Sequence, residues 1–407
     1  MESEALDITT IAVVAALATI MIMAWRGIEV GIALITATAI IAATNPQKTP
    51  EIIVETMRSQ ATWTLTITSM LIAILAELYR NTGEIKKLGI GVAKTLKNPK
   101  LAAMITPAII GLLPIAGGAL MSAPIIESLT PTLNLDTETA VYTNVWFRHT
   151  IFLTYPLTSL MIAIAALTGA SITEIAIQQI PTTIFMIIIG YITALHGKKV
   201  DRETGNAGEG NIKAWETLKA ATPLILSLTI AIPLKTMISD NGMIIGVAMG
   251  VAAITLTAKV KPKEMMEAVK SRRTIGITLA SFSSMLLQQA FNITGATQSI
   301  TQTINSTGIP VEALQYIAPA LLGLLTGSPL TGIVLSLPII GGIKKLDTKT
   351  ISAIYISSYT AYIASPIHLC YVYTARYFNC KLSKAYKLLV PSVIATITFT
   401  IILYTLT

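Results

Sequence analysis

An arginine and a histidine stand side by side at Arg148 and His149, in a stretch, Thr139–Leu167, with no other charged side chain. A guanidinium at membrane depth is costly and usually faces an aqueous cavity, an anion or a partner. Arg148 lies about nine residues into the stretch, roughly 13 Å by helical rise, which places it deep. It is a candidate anion ligand; the alternatives are a pair with Glu127 or snorkelling to the interface. His149 and, far along the chain, His368 titrate near neutrality and suit either a proton relay or structural hydrogen bonding. Asn144 precedes the arginine, and Ser357, Ser358, Tyr359, Thr360, Tyr362 and Ser365 lead into Pro366.

Two glycine- and proline-rich turns add backbone chemistry. The first runs from Pro114 to Pro124 with Gly117, Gly118 and Ser122; the second runs from Thr326 to Gly332 with Gly327, Ser328 and Thr331. Glycine permits open turns and proline ends a helix. Unwound carbonyls coordinate cations, and exposed helix N-termini attract anions. Small residues also serve close helix packing in membranes, the competing explanation for these turns. The two cysteines, Cys370 and Cys380, show no metal or disulfide spacing, and no His-Glu-x-x-His occurs. No cofactor is expected, only a coupling ion, sodium or a proton. Gly327-Ser328 with a distant histidine is the sole hint of a serine nucleophile, and an internal repeat accounts for that glycine without catalysis. An enzyme is therefore not expected.

These residues are carried by apolar elements. Of 407 residues 53% are hydrophobic and 12% charged, against about a quarter charged in soluble domains. Runs long enough to cross about 30 Å of hydrocarbon recur, without the alternation of a barrel. The net charge of +8 sits between the runs, as loop charges do, so the expected surroundings are a lipid bilayer and not nucleic acid. Glu2, Glu4 and Asp7 precede the first run with no Lys or Arg, the wrong charge for a secretory signal, so Leu6–Trp25 reads as a retained span.

The chain also matches itself. One shift lays Pro50 on Pro262, Glu55 on Glu267, and Tyr79, Thr82 and Gly83 on Phe291, Thr294 and Gly295. It carries Pro107–Leu113 onto Pro319–Leu325, and nearly the same shift pairs Pro156 with Pro366 and Pro181 with Pro391. The expected spans are Leu6–Trp25, Ile28–Thr44, Trp63–Leu78, Leu101–Leu129, Thr139–Leu167 and Pro181–Leu195. Their counterparts are Leu218–Ile238, Gly242–Ala258, Ile275–Ile293, Ala313–Gly342, Thr350–Tyr377 and Leu388–Thr405. If 101–129 and 313–342 are re-entrant hairpins, each copy has an odd number of crossings and the second is inverted. The predicted fold is thus an all-α polytopic membrane protein: an N-terminal repeat 1–195, a cytoplasmic linker 196–216 and an inverted C-terminal repeat 217–407. Each repeat holds about five transmembrane helices plus one hairpin. With both termini outside, most of the 29 Lys and Arg residues fall in cytoplasmic loops, as the positive-inside rule requires. Lys344, Lys345 and Lys349 run against that pattern.

Gly111–Pro124, Asn144–His149 and Thr326–Gly332 resemble, as sequences, the DUF401 family of prokaryotic integral membrane proteins, and the similarity runs over nearly the whole chain. That family is grouped with the ion-transporter superfamily of divalent-anion/sodium symporters and citrate and gluconate carriers. The resemblance implies a scaffold domain with a moving transport domain, two re-entrant hairpins, often a homodimer in the cell membrane, and coupling to sodium or protons. The chain departs from the sodium-coupled dicarboxylate members, which carry Ser-Asn-Thr at each hairpin tip; Ser122 and Ser328 stand in the corresponding regions without it. The expected function is secondary active transport of a small anionic solute, an organic acid or oxyanion. A cation/proton antiporter, which needs a buried carboxylate, and a channel are the alternatives.

Overall fold

The computed structural model describes residues 8–96, 98–113, 119–200, 212–237, 241–307, 309–366 and 368–406. Gly117 and Gly118, at the first predicted turn, and most of the linker lie outside the described residues. Among those described there are twenty α-helices, two short 3-10 turns and no strand. The first ten are α1 (Ile8–Trp25), α2 (Val30–Ala42), α3 (Thr49–Arg58), α4 (Gln60–Asn81), α5 (Glu84–Thr95), α6 (Pro99–Gly111), α7 (Ala119–Leu133), α8 (Thr137–Thr150), α9 (Ser159–Thr168) and α10 (Ile172–Ala194). The second ten are α11 (Ala214–Met237), α12 (Asn241–Thr257), α13 (Pro262–Val269), α14 (Arg272–Thr294), α15 (Ala296–Thr307), α16 (Val311–Thr326), α17 (Pro329–Ile343), α18 (Thr348–Ile363), α19 (Leu369–Tyr377) and α20 (Leu382–Leu406). Gln60–Asn81, Ile172–Ala194, Ala214–Leu234 and Leu382–Leu406 are long and apolar enough to cross a membrane. The chain is a helical membrane protein.

The order of elements runs twice, and local chemistry repeats with it. Ser59 caps α4 by accepting from the Thr62 N–H, and Ser271 caps α14 by accepting from Thr274. Asp136 caps α8 through Thr139, and Asp347 caps α18 through Thr350. These caps satisfy N–H groups that a helix start leaves open. Helices α3, α5, α13 and α15 occupy segments read from the sequence as loops. Their amphipathic period explains them: α5 turns Ile85, Leu88 and Ala93 inward and Lys86, Lys87 and Lys94 outward.

Equivalent helices of the two halves meet antiparallel. Arg273 at the start of α14 pairs with Glu77 near the end of α4 at 2.8 Å, while Lys48, ahead of α4, donates to the Ile293 carbonyl near the end of α14 at 2.7 Å. Glu77 is buried and also pairs with Arg80, so it fastens the α4–α14 junction. Between α10 and α20, Phe185 stacks on Phe399 at 4.2 Å and Tyr404 donates to the Gln178 carbonyl at 3.1 Å. Helices α8 and α18 meet at their C-terminal ends, where the Tyr359 hydroxyl donates to the His149 carbonyl at 3.2 Å.

Helices α16 and α17 form a hairpin. A Cβ on Gly332 of α17 would lie 2.9 Å from the Pro319 carbonyl of α16 and 2.1 Å from Ser358 Oγ. Helices α6 and α7 likewise pack against each other. The first helix of each pair touches a broken helix at a glycine: a Cβ on Gly111 would sit 2.1 Å from the Arg148 carbonyl oxygen, and one on Gly323 would sit 2.3 Å from that of Ser358. No side chain fits there without moving backbone, and overpacking a filled core costs roughly 1–3 kcal/mol or more. Gly111→Val and Gly323→Val are each expected to lower the thermal unfolding temperature of the purified protein markedly, as followed by fluorescence-detected gel filtration. Ile188→Val, at an exposed position, should leave it nearly unchanged.

Candidate functional site

Two helices stop in the middle of the bundle. After Thr150, α8 tightens into a 3-10 turn, Ile151–Leu153, and the chain is irregular until α9 begins at Ser159. Pro156 in this gap has no N–H to donate, and the Thr158 hydroxyl restarts the helix by accepting from the Met161 N–H at 3.0 Å. In the second half α18 ends at Ile363, Pro366 follows, and His368 stands at the N-cap of α19. A third start lies at the hairpin turn, where Gly327 takes a left-handed φ of 60° and Ser328 caps α17 through the Thr331 N–H.

These starts surround a cavity of about 350 Å3. The opening residues of three helices are on its wall: Ser159 and Leu160 of α9, Pro329 and Leu330 of α17, Leu369 and Cys370 of α19. Arg148 and His149 from the last turn of α8, and Tyr359 and Tyr362 from the end of α18, also line it, with Ile277 and Ser281 of α14. Among the described residues no Asp or Glu lines it. Arg148 is 3% exposed, and its Nη2 donates to the Leu113 carbonyl at 3.3 Å. Glu127, weighed from the sequence as its partner, accepts a hydrogen bond from the Tyr377 hydroxyl.

Of the residues singled out in the sequence, Arg148, His149, Gly327 and Tyr359 line the cavity itself. Ser328 lines an adjoining recess. Thr326 and Thr331 hold the turn: the Thr326 hydroxyl accepts from the Ser328 N–H at 3.3 Å, and that of Thr331 donates to Ser328 Oγ at 2.9 Å. Ser358 donates to the Pro329 carbonyl at 2.9 Å, which fastens α18 to the start of α17. Asn144 is buried one turn before Arg148 and donates to the Ala119 carbonyl at 2.9 Å and to Thr374 at 3.1 Å. Ser122 donates to that same Ala119 carbonyl at 3.2 Å. Asn144 and Ser122 thus tie the start of α7 to α8 and α19 and are not among the cavity-lining residues.

Sequence reasoning passed over one cluster. The His149 and His368 rings meet edge to face at 4.8 Å, and their ligand atoms and the Cys370 sulfur all lie within 4.8 Å of one another, fully buried. The residues come from opposite halves of the chain. The only local hint is a His-x-Cys placed across a helix start just after Pro366.

The surroundings of the cavity are lopsided. It shares Ile277, Ala280, Leu330 and Leu369 with a recess of about 540 Å3 that reaches Glu29, Arg272 and Arg273 at one end of the bundle. At the equivalent place in the other half the described residues Ala61, Thr64, Ile162 and Met243 line a gap of about 20 Å3, beside one of about 240 Å3 with which it shares Ile172 and Met243. Helix α4 packs closely on α9, whereas among the described residues α14 and α19 touch no more than marginally.

A family model described as "Protein of unknown function (DUF401)" matches residues 8–406. No curated protein sequence matches the chain. Among solved structures, the crystal structure of the YdaH transporter of Alcanivorax borkumensis, described as having an unusual topology, is similar with a TM-score of 0.64 at 12% identity. The likeness covers 86% of this chain and 86% of that one, and it concerns the fold.

The cavity is testable without a ligand. In protein with both native cysteines replaced by serine, Ser281→Cys on its wall should react readily with a small water-soluble thiosulfonate. Ser284→Cys, on the same helix and as buried as Ser281 but off the wall, should stay unlabelled. Equal labelling of the two would show that no such cavity exists.

Proposed function

This chain belongs to the DUF401 family of proteins of unknown function, so its work must be read from its site, and we propose that it is a secondary active transporter of a small anionic solute, an organic acid or oxyanion. The observation that carries this reading is the convergence of Arg148 with three helix N-termini on a cavity of about 350 Å3 that has no carboxylate among its described lining residues. Each N-terminus favours an anion by about 0.3–1 kcal/mol, more when buried. A desolvated guanidinium adds charge-assisted, often bidentate hydrogen bonds to a carboxylate or oxyanion. The same lining gives a cation/proton antiporter no acid with which to exchange.

Alternating access is the proposed mechanism. The halves, 1–195 and 217–407 joined by a cytoplasmic linker at 196–216, are read as inverted repeats with re-entrant hairpins at 101–129 and 313–342. The antiparallel meeting of α4 with α14 and of α10 with α20 supports this, because a two-fold axis in the membrane plane generates such pairs. The open recess beside α14 and its collapsed counterpart beside α4 then represent one state facing the Arg272–Arg273 side, which charge bias assigns to the cytoplasm. The opposite state exchanges the two: α14 closes on α19 while α4 parts from α9. Among the described residues the path narrows at one end, which speaks against a channel. Ser328 serves as a helix cap bonded to Thr331, not as a nucleophile beside a base, which speaks against an enzyme.

Sodium or protons are the proposed coupling ions, with carbonyls and hydroxyls at the helix breaks as the cation ligands, or His149 as the proton carrier. The resemblance to ion-transporter superfamily carriers, and the likeness of fold to the YdaH transporter, agree with a cell-membrane carrier of scaffold and moving domain, a homodimer, with both termini outside.

Thermal-shift measurements on the purified protein against organic acids and oxyanions, with and without sodium, test the solute class; a ligand at a hundred times its Kd stabilises by about 2.7 kcal/mol. Arg148→Ala should abolish that shift while the protein still elutes as a folded species, and an undiminished shift rejects the anion. For alternating access, Gly276→Cys and Val372→Cys, the counterparts of Thr64 and Ile162, are expected to cross-link under turnover conditions and to arrest uptake until reduced. Uptake that survives complete cross-linking overturns the exchange of gaps.

A further inference from the structure

The buried cluster of His149, His368 and Cys370 has no assigned part in binding the anion, and its arrangement is that of a ligand set. His149 Nδ1 lies 2.6 Å from the Val145 carbonyl and His368 Nδ1 lies 3.1 Å from that of Ile363. A carbonyl only accepts, so each Nδ1 carries the proton and each Nε2 of the neutral rings is left with its lone pair. Backbone carbonyls hold metal-ligating histidines in this same way, fixing tautomer and ring orientation. Nε2 of His368 is buried with no hydrogen-bond partner, a cost that a ligand would remove. The third donor, Cys370, is the second residue of α19, where the helix N-terminus favours a thiolate.

We infer that His149, His368 and Cys370 form a three-donor site for a soft d10 metal ion, of which Zn2+ is the most available. Two imidazoles and one thiolate are the donors that such ions prefer, and hard ions such as sodium or calcium are not drawn to them. Zinc–nitrogen and zinc–sulfur bonds of about 2.0 and 2.3 Å place the donors about 3.5 Å apart in a tetrahedron. The present spread, within 4.8 Å, closes to that by small side-chain rotations. On binding, the Cys370 thiol gives its proton to solvent and its sulfur bonds the metal. Arg148 and the helix N-termini of the same cavity oppose a bare cation. The thiolate offsets one charge, which selects a thiolate-binding ion over any other. His149 and Cys370 lie on the cavity wall, so the fourth coordination position faces the cavity. The site goes beyond the transport reading and does not require it.

The test uses the full chain, purified in detergent and stripped with a chelator. Titrated Cd2+ should raise a thiolate-to-metal charge-transfer band in the ultraviolet that saturates at one equivalent, with Zn2+ displacing it. Cys370→Ser should abolish the band while keeping its gel-filtration profile, and Cys380→Ser should leave it intact. His149→Gln and His368→Gln should each weaken Zn2+ competition at least tenfold. The site is refuted if the band survives Cys370→Ser, if Cys380→Ser removes it, or if wild-type protein whose Cys370 is shown reduced by mass spectrometry gives no saturable band. Anion thermal shifts in the stripped protein report separately on the transport reading, so failure of one leaves the other standing.

Discussion

In hydrocarbon a backbone N–H or C=O that no partner satisfies costs several kcal/mol, and this constraint shapes everything at the centre of the molecule. Two helices stop there and a hairpin turns there, so the open ends must find partners inside the protein or face an aqueous cavity. Both solutions are present. The Thr158 and Ser328 hydroxyls take up N–H groups at the starts of α9 and α17. On the carbonyl side, Tyr359 donates to His149, Tyr355 donates to Phe152 at 3.0 Å, and Ser358 donates to Pro329. The remaining helix starts border the cavity.

The close approach of the broken helices to the hairpins follows from the same constraint. Where α8 and α18 end, their carbonyls need dense surroundings, and Gly111 and Gly323 bring α6 and α16 to within contact of backbone oxygen. Membrane helices lack a hydrophobic drive to associate and rely on this kind of small-residue packing. Gly111 and Gly323 therefore do two jobs: they tighten the packing, and they hold the helix ends at which polar chemistry is exposed.

Repetition with inequality is the other organising feature. Each half supplies ten helices among the described residues, yet the recess beside α14 is about 540 Å3 while the gap between α4 and α9 is about 20 Å3. Side chains differ at positions that the sequence match pairs: His149 packs against its counterpart Tyr359 with ring centroids 6.0 Å apart, while His368 and Cys370 have Thr158 and Leu160 as theirs.

Much of this was legible in the residues themselves. Apolar runs with few charges announce membrane helices, because length and composition alone decide partition into hydrocarbon. Pro156, Pro366 and the Thr326–Gly332 turn announce breaks, because a missing donor and a missing Cβ act locally. Arg148 stood out because an isolated charge in an apolar stretch has few explanations. What no local pattern determined was contact between distant segments. The amphipathic helices α5 and α15 passed as loops, and nothing along the chain pairs Glu77 with Arg273 of the other half. His149, His368 and Cys370 carry no metal spacing along the chain, since their meeting depends on how α8, α18 and α19 end against one another. Periodicity and composition are properties of a segment; a cavity is a property of several segments at once, and only their packing decides it.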